Sequence, residues 1–260
     1  MKLNDYNIII INSSAGKDSL CAIWEVCRLA KEQDFKGEIV VSHQDLGRME
    51  WEGTKELAIK QAQFFGLPIR ISERRDKNGK TENLLDYAKR RKKWPSNKQR
   101  WCTSDYKRGP GARVVTELTK GKKSNVLYVF GFRSEESPSR SKKEVLKSNM
   151  KLTTRSRKVT EWLPIHHWST IDVWTCIKEY GLPYHFAYDL GMPRLSCVFC
   201  IFSPFDALVV AGIANPELLD EYIQVEKEIG HTFRDKFSIA SVKDAIQSGY
   251  IPKKVDNWVM

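Results

Sequence analysis

The most constraining feature of the sequence is an apolar run that leads into a short polar loop and then into an amphipathic helix. Residues 7–12 read NIIIIN, which is typical of a parallel strand that is covered on both faces. The loop SSAGKDS follows at residues 13–19, and apolar residues then recur at helical spacing from Leu20 onward. Free backbone N–H groups and the positive end of a helix dipole meet at such a loop. We therefore expect it to bind an anion.

The side chains of this loop favour phosphate. Small residues let the backbone approach a ligand, Lys17 adds a positive charge, and Asp18 can hold a magnesium ion. The spacing of a Walker loop is absent, and an ordinary Ser/Gly turn is the alternative interpretation. The residues predicted to bind the phosphates are Ser14, Ala15, Gly16, Lys17, Asp18 and Ser19.

Strands and helices alternate along the rest of the chain. The patterns predict further strands at residues 38–42, 69–72 and 125–131, and helices at residues 56–65 and 170–180. This order indicates an α/β fold, a Rossmann-like parallel sheet with helices on both faces. We expect a nucleotide-binding domain over residues 1–202 and a small helical C-terminal extension over residues 203–260, where Asn215 and Pro216 mark a helix start.

The net charge of +11 is concentrated in two segments. Residues 89–108, the first basic segment, hold nine Lys or Arg and one acid; residues 140–158, the second, hold eight and one. The rest of the chain is mildly acidic. Interleaved with aromatic residues such as Trp94, Trp101 and Tyr106, this charge is more typical of a polyanion footprint than of one small nucleotide. A solvated basic face is the plainer alternative.

The chain has the composition of a cytoplasmic protein. Its apolar runs fall short of the roughly 20 residues that a membrane helix needs, and the start MKLND lacks a signal-peptide pattern. We therefore expect no membrane partner. Six cysteines in such a protein are core residues, metal ligands or catalytic thiols rather than a disulfide framework.

Three of the cysteines lie in a context that favours chemistry. Cys197 and Cys200 form a Cys-x-x-Cys pair, and Cys102 lies in the first basic segment. The set suits a [4Fe–4S] cluster, with zinc or no metal as the lesser alternatives. Cys21, Cys27 and Cys176 lie on apolar helix faces, so we expect them to be buried and unligated. We expect the three candidate ligands to meet at the carboxyl edge of the sheet, above the phosphate loop.

Several segments together resemble a known family. The loop SSAGKDS is similar to the PP-loop SGGxDS of the adenine-nucleotide alpha-hydrolase superfamily, with Ala15 in place of the first glycine. RWCTSDYKRGP at residues 100–110, GFRSEESPSR at residues 131–140 and the segment from PIHHW through LPY and YD resemble the phosphoadenosine phosphosulfate reductase family. The resemblance covers residues 7–202. It implies a PP-loop enzyme that binds ATP or a related adenylyl nucleotide with Mg²⁺.

The resemblance also implies roles for single residues. Arg133 and Arg140 would grip the anionic end of the nucleotide, as guanidinium groups do. Asp45, just after the second strand, would meet the ribose or the metal. Lys17, Asp18 and Cys102 would be the catalytic residues.

One departure from the reductase pattern changes the expected reaction. The reductases attack sulfur with a cysteine near the C-terminus, and this sequence has none after Cys200. The nucleic-acid sulfurtransferases of the superfamily, including tRNA thiolases and the DNA phosphorothioation enzyme, fit better. We therefore predict an ATP pyrophosphatase that adenylates DNA or tRNA and replaces oxygen with sulfur, with a sulfur-donor protein such as a cysteine desulfurase as partner. The alternatives are a sulfonucleotide reductase and a non-catalytic, nucleotide-dependent nucleic-acid-binding subunit.

Overall fold

A six-stranded sheet organises the computed structural model of this protein, which describes residues 1–255. The strand order is β3-β2-β1-β4-β6-β5. β1 pairs in parallel with β2 and β4, β4 pairs in parallel with β6, and β5 runs antiparallel to β6 at the sheet edge. The strands are β1 (Ile8–Ser13), β2 (Glu38–Asp45), β3 (Ile69–Glu73), β4 (Ser124–Val129), β5 (Leu146–Ser148) and β6 (Arg157–Trp162).

Helices occupy most of the connections between strands and the whole C-terminal part. They are α1 (Lys17–Glu32), α2 (Thr54–Phe64), α3 (Leu84–Arg91), α4 (Trp101–Thr103), α5 (Gly109–Leu118), α6 (Pro138–Ser141), α7 (Thr170–Glu179), α8 (Phe205–Ala214), α9 (Pro216–Ile229) and α10 (Ala240–Gln247). A π-helical turn, Ser104–Arg108, lies between α4 and α5. Within residues 1–255, no helix has the length and apolar character needed to cross a membrane.

The chain divides into two compact units, each assembled from separate segments. The first unit consists of Met1–Gln44, Gly53–Ser72 and Pro110–His185. The second consists of Asp45–Glu52, Glu73–Gly109 and the chain from Phe186 onward. The predicted C-terminal extension therefore belongs to a unit that also draws on earlier parts of the chain.

The core of the first unit lies on the faces of the sheet. The isoleucines of β1 are at most 3% exposed, as expected for a central strand. Helix α1 places Leu20, Ile23 and Val26 against one face, where they pack with residues of α7 such as Val173 and Ile177. The amphipathic pattern after the loop thus fixes where the helix lies.

The core of the second unit is helical and rich in aromatic residues. Trp94 stacks on Tyr222 of α9 with ring centroids 5.3 Å apart, and Phe233 packs edge-on against both rings. The indole N–H of Trp94 donates to the backbone oxygen of His231. This arrangement anchors the loop after α9 to the segment before α4.

The expected α/β fold and the C-terminal helices are confirmed. The structure adds β5, β6 and α5, which the sequence patterns did not reveal, and it adds α8 ahead of the two tail helices that were expected. β6 carries a buried arginine, Arg157, in place of a regular apolar pattern. Its guanidinium donates to the backbone oxygen of Leu152 and to the hydroxyls of Thr116 and Thr119. Such long-range partners are not visible in local sequence patterns.

One buried carboxylate organises the loop between α9 and α10. Glu226, 8% exposed, accepts hydrogen bonds from the backbone N–H groups of Phe233 and Ile239 and from the hydroxyl of Ser238. Removing the carboxylate leaves these donors without an acceptor.

We expect Glu226→Ala to lower the free energy of unfolding by about 2–4 kcal/mol, because buried donors lose a charged acceptor. Glu228→Ala, on the same helix, is the matched control. Glu228 pairs with Lys89 at the surface, so its loss changes stability little. Denaturant titration followed by circular dichroism measures both, and equal effects would contradict this role of Glu226.

Candidate functional site

The predicted phosphate loop lies in the first unit between β1 and α1. Gly16 is the residue before the helix, and Ala15 adopts a left-handed backbone with φ of 56°. Left-handed backbone strains a residue with a Cβ atom by roughly 1 kcal/mol. Ala15 therefore occupies a position that glycine would fill without strain, which is where the PP-loop motif has its glycine.

Serine side chains hold the loop in shape. The Ser19 hydroxyl donates to the backbone oxygen of Gly16 over 2.9 Å and accepts from the backbone N–H of Ser14 over 3.2 Å. The Ser13 hydroxyl accepts from the N–H of Ala15 over 3.1 Å. These bonds keep a tight turn whose amides lie at the N-terminus of α1, the geometry that binds anions.

A buried ion pair fixes the start of α1. The Asp18 carboxylate receives Nε of Arg133 at 2.6 Å on one oxygen and Nζ of Lys17 at 3.2 Å on the other. Burial by itself raises the pKa of the Asp18 carboxyl, but the charges and hydrogen bonds of Lys17 and Arg133 outweigh it and hold the pKa below its usual value. Asp18 is therefore a carboxylate between two cations.

Arg133 has little donor capacity left for a ligand in this structure. Its side chain is fully buried, and beyond Asp18 its terminal nitrogens donate to Glu135, to the backbone oxygen of Trp168 and to the hydroxyl of Thr170. Glu135 in turn accepts from the backbone N–H of Thr170 over 2.7 Å. The guanidinium thus connects α1, the turn after β4 and the start of α7.

A glycine allows this connection. A Cβ atom on Gly131 would lie 2.6 Å from the backbone oxygen of Asp18, closer than real Cβ contacts. The chain leaving β4 therefore passes directly against the backbone of the loop helix, and only glycine fits there. The spacing between Gly131 and Arg133 in the GFRSEES segment follows from this close approach.

Two supporting residues had no signal in the sequence. Gln61 of α2 is fully buried and donates through Nε2 to the backbone oxygens of Ala15, at 3.0 Å, and Pro183, at 2.9 Å. Thr170 was recognised only as a helix start. Both act through tertiary contacts, so their roles could be found only from the fold.

The two remaining predicted nucleotide contacts lie in different surroundings. Arg140 is half-buried, pairs with Glu136 and lies over the ring of Phe132 at 4.5 Å. Asp45 is the last residue of β2 and the first residue of the second unit. It is 8% exposed, and its carboxylate accepts a hydrogen bond from the backbone N–H of Gly47 over 2.7 Å. Their binding of nucleotide stays a prediction.

The three candidate ligand cysteines all belong to the second unit. Cys102 is in α4, Cys197 forms an isolated antiparallel bridge with Glu50, and Cys200 begins a turn closed by the N–H of Ser203. All three are half-buried free thiols. Cys102 thus belongs to the same unit as the Cys-x-x-Cys pair, although it is far from that pair in the sequence.

These thiols interact electrostatically with one another. The pKa of Cys197 is raised to about 12, chiefly by burial and also by Cys200 and Cys102, while the positive charge of Lys107 opposes the shift. Burial also raises the pKa of Cys200, with Lys107 opposing and Cys102 reinforcing the shift. Mutual effects of this kind require that the groups lie near each other.

Proximity is not the same as a metal site. In the part of the chain that the structure describes, no group of three or more His, Cys, Asp or Glu side chains is arranged to hold a metal ion. One zinc ion requires all its thiolates at about 2.3 Å from one point, whereas the thiolates of a [4Fe–4S] cluster each bind a separate iron. In donor chemistry three thiolates suit either group, and the cluster stays a prediction.

The remaining cysteines agree largely with expectation. Cys21 is fully buried and its thiol donates to the backbone oxygen of Val173, and Cys176 is 5% exposed. Cys27 is half-buried rather than buried. All three are free thiols on helices of the first unit.

The aromatic residues of the first basic segment do not form an open stacking surface. Trp94, Trp101 and Tyr106 are 1%, 6% and 1% exposed and belong to the core of the second unit. These three buried rings therefore do not supply the stacking surface that was predicted to accompany the basic charge. The cations must be assessed on their own.

A mostly parallel α/β sheet whose first strand leads through a tight loop into the N-terminus of a helix is a Rossmann-like fold, the type found in many nucleotide-binding proteins. Residues 8–202 match the model of the phosphoadenosine phosphosulfate reductase domain. The chain belongs to this family, whose members are PP-loop enzymes that use adenine nucleotides. The match ends at the residue that was predicted to end the nucleotide-binding domain.

Individual relatives agree with this assignment. An uncharacterized protein of Methanocaldococcus jannaschii is 29% identical over 96% of this chain and 45% of its own length. The adenosine 5'-phosphosulfate reductase of Oceanobacillus iheyensis is 37% identical over 34% of this chain and 35% of its own length. This chain thus spans less than half the length of both curated relatives.

A solved structure shares the fold. FMN adenylyltransferase of Candida glabrata, crystallised with FMN and an ATP analogue, superposes with a TM-score of 0.50 and 13% identity, covering 76% of this chain and 57% of that one. At this level of identity the likeness concerns the fold.

The Asp18–Arg133 pair leads to a stability prediction. Arg133→Gln should lower the free energy of unfolding by roughly 3–5 kcal/mol, because it leaves a largely buried carboxylate without its main partner. Arg133→Lys should recover part of the loss, since it keeps the charge but not the fork of donors. Arg28→Gln, which breaks exposed pairs with Glu25 and Glu32 on α1, is the control and should change stability little.

Denaturant unfolding of the three variants measures these changes in the free energy of unfolding. If Arg133→Gln were no less stable than Arg28→Gln, Arg133 would not hold Asp18 in solution.

Proposed function

We propose that this protein is an ATP pyrophosphatase that adenylates a nucleic-acid oxygen and then replaces that oxygen with sulfur. The observation that carries the proposal is the loop from Ser14 to Ser19, whose amides and Lys17 lie at a helix N-terminus. The family supports use of an adenine nucleotide and sulfur-related chemistry. The choice of nucleic acid as substrate rests on the cations of the chain.

The first step needs charge stabilisation rather than covalent help from the protein. The nucleic-acid oxygen attacks the α-phosphorus of ATP, the bond from that phosphorus to the bridging oxygen breaks, and pyrophosphate leaves. Lys17 and the loop amides would stabilise the charge that develops on pyrophosphate. Asp18, a carboxylate at the start of the loop helix, would hold the Mg²⁺ that accompanies ATP.

In this scheme Arg133 positions Asp18 rather than binding the nucleotide directly. Its Nε contacts one carboxylate oxygen, and the rest of its donors contact the protein. That leaves the second oxygen of Asp18 as the exchangeable one. Arg140, half-buried and at the end of the same segment, remains the candidate for contact with the anionic end of the nucleotide, and Asp45 the candidate for the ribose.

The second step exchanges AMP for sulfur. A nucleophilic sulfide adds to the adenylated carbon or phosphorus and AMP departs with the oxygen. Cys102, Cys197 and Cys200 would hold a [4Fe–4S] cluster, which when bound supplies a site that carries sulfide. A sulfur-donor protein such as a cysteine desulfurase would replenish the sulfur at the persulfide level, with Cys102 as the candidate acceptor in protein that carries no cluster. A small dithiol would then supply the two electrons that release the outer sulfur as sulfide, and would itself become a disulfide.

A sulfonucleotide reductase is the second candidate. The family description and the segment that is 37% identical to an adenosine 5'-phosphosulfate reductase favour it. It uses the same loop for a different nucleotide, so variants of the loop residues cannot distinguish the two reactions. The reaction products distinguish them.

The first test compares pyrophosphate released from ATP with sulfite released from adenylyl sulfate or phosphoadenylyl sulfate. We expect protein purified without oxygen to release pyrophosphate in the presence of Mg²⁺ and tRNA or DNA. Lys17→Ala should lower this rate by about 10²–10³-fold, as is typical when a charge-stabilising donor is removed. Lys31→Ala, at the exposed far end of α1, is the control. Sulfite without pyrophosphate would establish the reductase instead.

The second test concerns the cysteines. Iron content and visible absorbance after anaerobic reconstitution should fall in Cys102→Ala, Cys197→Ala and Cys200→Ala, because each removes one thiolate. Cys27→Ala removes a thiol from α1 and should change neither. Unchanged iron binding in Cys102→Ala would refute a cluster shared by the three cysteines.

A further inference from the structure

Both basic segments contain paired and unpaired cations, and they belong to different units of the chain. In the first, the charges at the end of α3 have structural partners within the second unit. Lys89 pairs with Glu228 at 2.8 Å and Arg90 with Glu82 at 2.9 Å, while Arg91 donates to the hydroxyl of Tyr87. Cations in the last turn also stabilise a helix through its dipole. These three cations thus have a structural role within the second unit.

The second basic segment also has carboxylate partners for two of its cations, but it belongs to the first unit, which contains the phosphate loop. Arg157 is buried in hydrogen bonds, Arg140 pairs with Glu136, and Lys147 pairs with Glu144. The remaining cations of the segment are exposed and, within the described residues, have no carboxylate partner. We call them the edge cluster: Lys142, Lys143, Lys151, Arg155 and Lys158.

These cations flank the edge strand of the sheet: Lys142 and Lys143 precede β5, Lys151 and Arg155 lie between β5 and β6, and Lys158 is on β6. β5 is the edge strand, and each of its three residues is exposed. Leu146 pairs with Trp162 and Ser148 with Thr160. Lys142 and Lys143 therefore lie near the carboxyl end of β6, and Lys151 lies beyond β5 toward the opposite end.

The phosphate loop follows β1 at the carboxyl edge of the same sheet. Because β1, β4 and β6 are parallel, Lys142 and Lys143 share an edge with the loop, and the remaining cations lead away from it. The chain from Lys143 to Lys151 can span at most about 27 Å. One nucleic-acid strand carries a phosphate every 3.4 Å or so along a helix axis, so roughly eight phosphates could lie along that length.

We propose that the edge cluster along β5 is the surface on which this protein binds the phosphate backbone of its nucleic-acid substrate. This deepens, and rests on, the proposed nucleic-acid substrate. Separate exposed cations on both sides of an edge strand, without carboxylate partners in the described chain, suit a regularly charged polymer. Contacts with phosphates position a nucleic acid without reading its sequence. A modifying enzyme needs such contacts to hold its substrate while another part of the protein selects the atom to be modified.

Two alternative roles for these cations predict different results. Lysines on an edge strand prevent pairing with a second sheet, in which case their removal would cause self-association and leave nucleic-acid binding unchanged. The side chains of Leu146 and Met150, 46% and 77% exposed, would favour an anionic lipid surface instead. Each alternative is an outcome of the same experiment.

The test measures binding of a labelled mixed-sequence RNA and a labelled DNA duplex by fluorescence anisotropy, without ATP, between about 50 and 200 mM salt. The variant is Lys151→Gln, Arg155→Gln and Lys158→Gln combined. The matched control is Lys92→Gln, Lys93→Gln and Lys98→Gln, three exposed cations of the second unit. Circular dichroism and sedimentation confirm that each variant folds and stays monodisperse as the wild type does.

We expect the edge variant to bind more weakly and to lower the slope of log affinity against log salt by about 2–3, since each lost phosphate contact contributes about 0.7–0.9. The control should keep the wild-type slope. An unchanged slope in the edge variant, an equal loss in the control, or loss of binding only to phosphatidylserine vesicles would overturn the proposal.

Failure here can be separated from failure of the proposed function. Pyrophosphate release from ATP is measured independently of this binding assay. If turnover with nucleic acid persists while the edge variant binds like wild type, only the surface is wrong. If no pyrophosphate is released, the proposed reaction is wrong whatever the salt slope.

Discussion

The ion pair between Asp18 and Arg133 is the interaction on which the candidate phosphate site depends. It ties the first turn of α1 to the segment after β4, and Gly131 lets the two backbones touch. A fully buried guanidinium is costly to desolvate and must have its donors satisfied. Here Asp18, Glu135, Trp168 and Thr170 provide those acceptors, so the loop has one well-defined position before any ligand arrives.

The same constraint separates residues that hold a site from those that touch a ligand. Arg133 looks like an anion-binding residue in sequence, yet its contacts are with the protein. Lys17 contacts one oxygen of Asp18 at 3.2 Å, and a lysine can exchange such a point contact for a phosphate. Burial and donor count therefore favour a positioning role for Arg133, and its contact with a nucleotide stays a prediction.

The cations illustrate the same distinction at the surface. Two segments of similar composition contribute the excess charge, but the charges on α3 serve helix and ion-pair stability, whereas the edge cluster has no carboxylate partner in residues 1–255. The second unit instead contributes three thiols, and the C-terminal part is integral to that unit. Tyr222 of α9 stacks on Trp94, and Arg234 donates to the backbone oxygen of Ser203, in the turn that begins at Cys200.

Local sequence patterns determined the strand–loop–helix start, the α/β class, the family and the C-terminal helices, because burial periodicity and motif spacing are properties of contiguous residues. Tertiary structure alone decided that Arg133 is committed to Asp18 and that Trp94 and Trp101 are core. It also assigned Cys102 to the unit of Cys197 and Cys200. These outcomes depend on contacts between residues far apart in the chain, whose pairing is set by the closed packing of each unit and leaves no trace in local spacing.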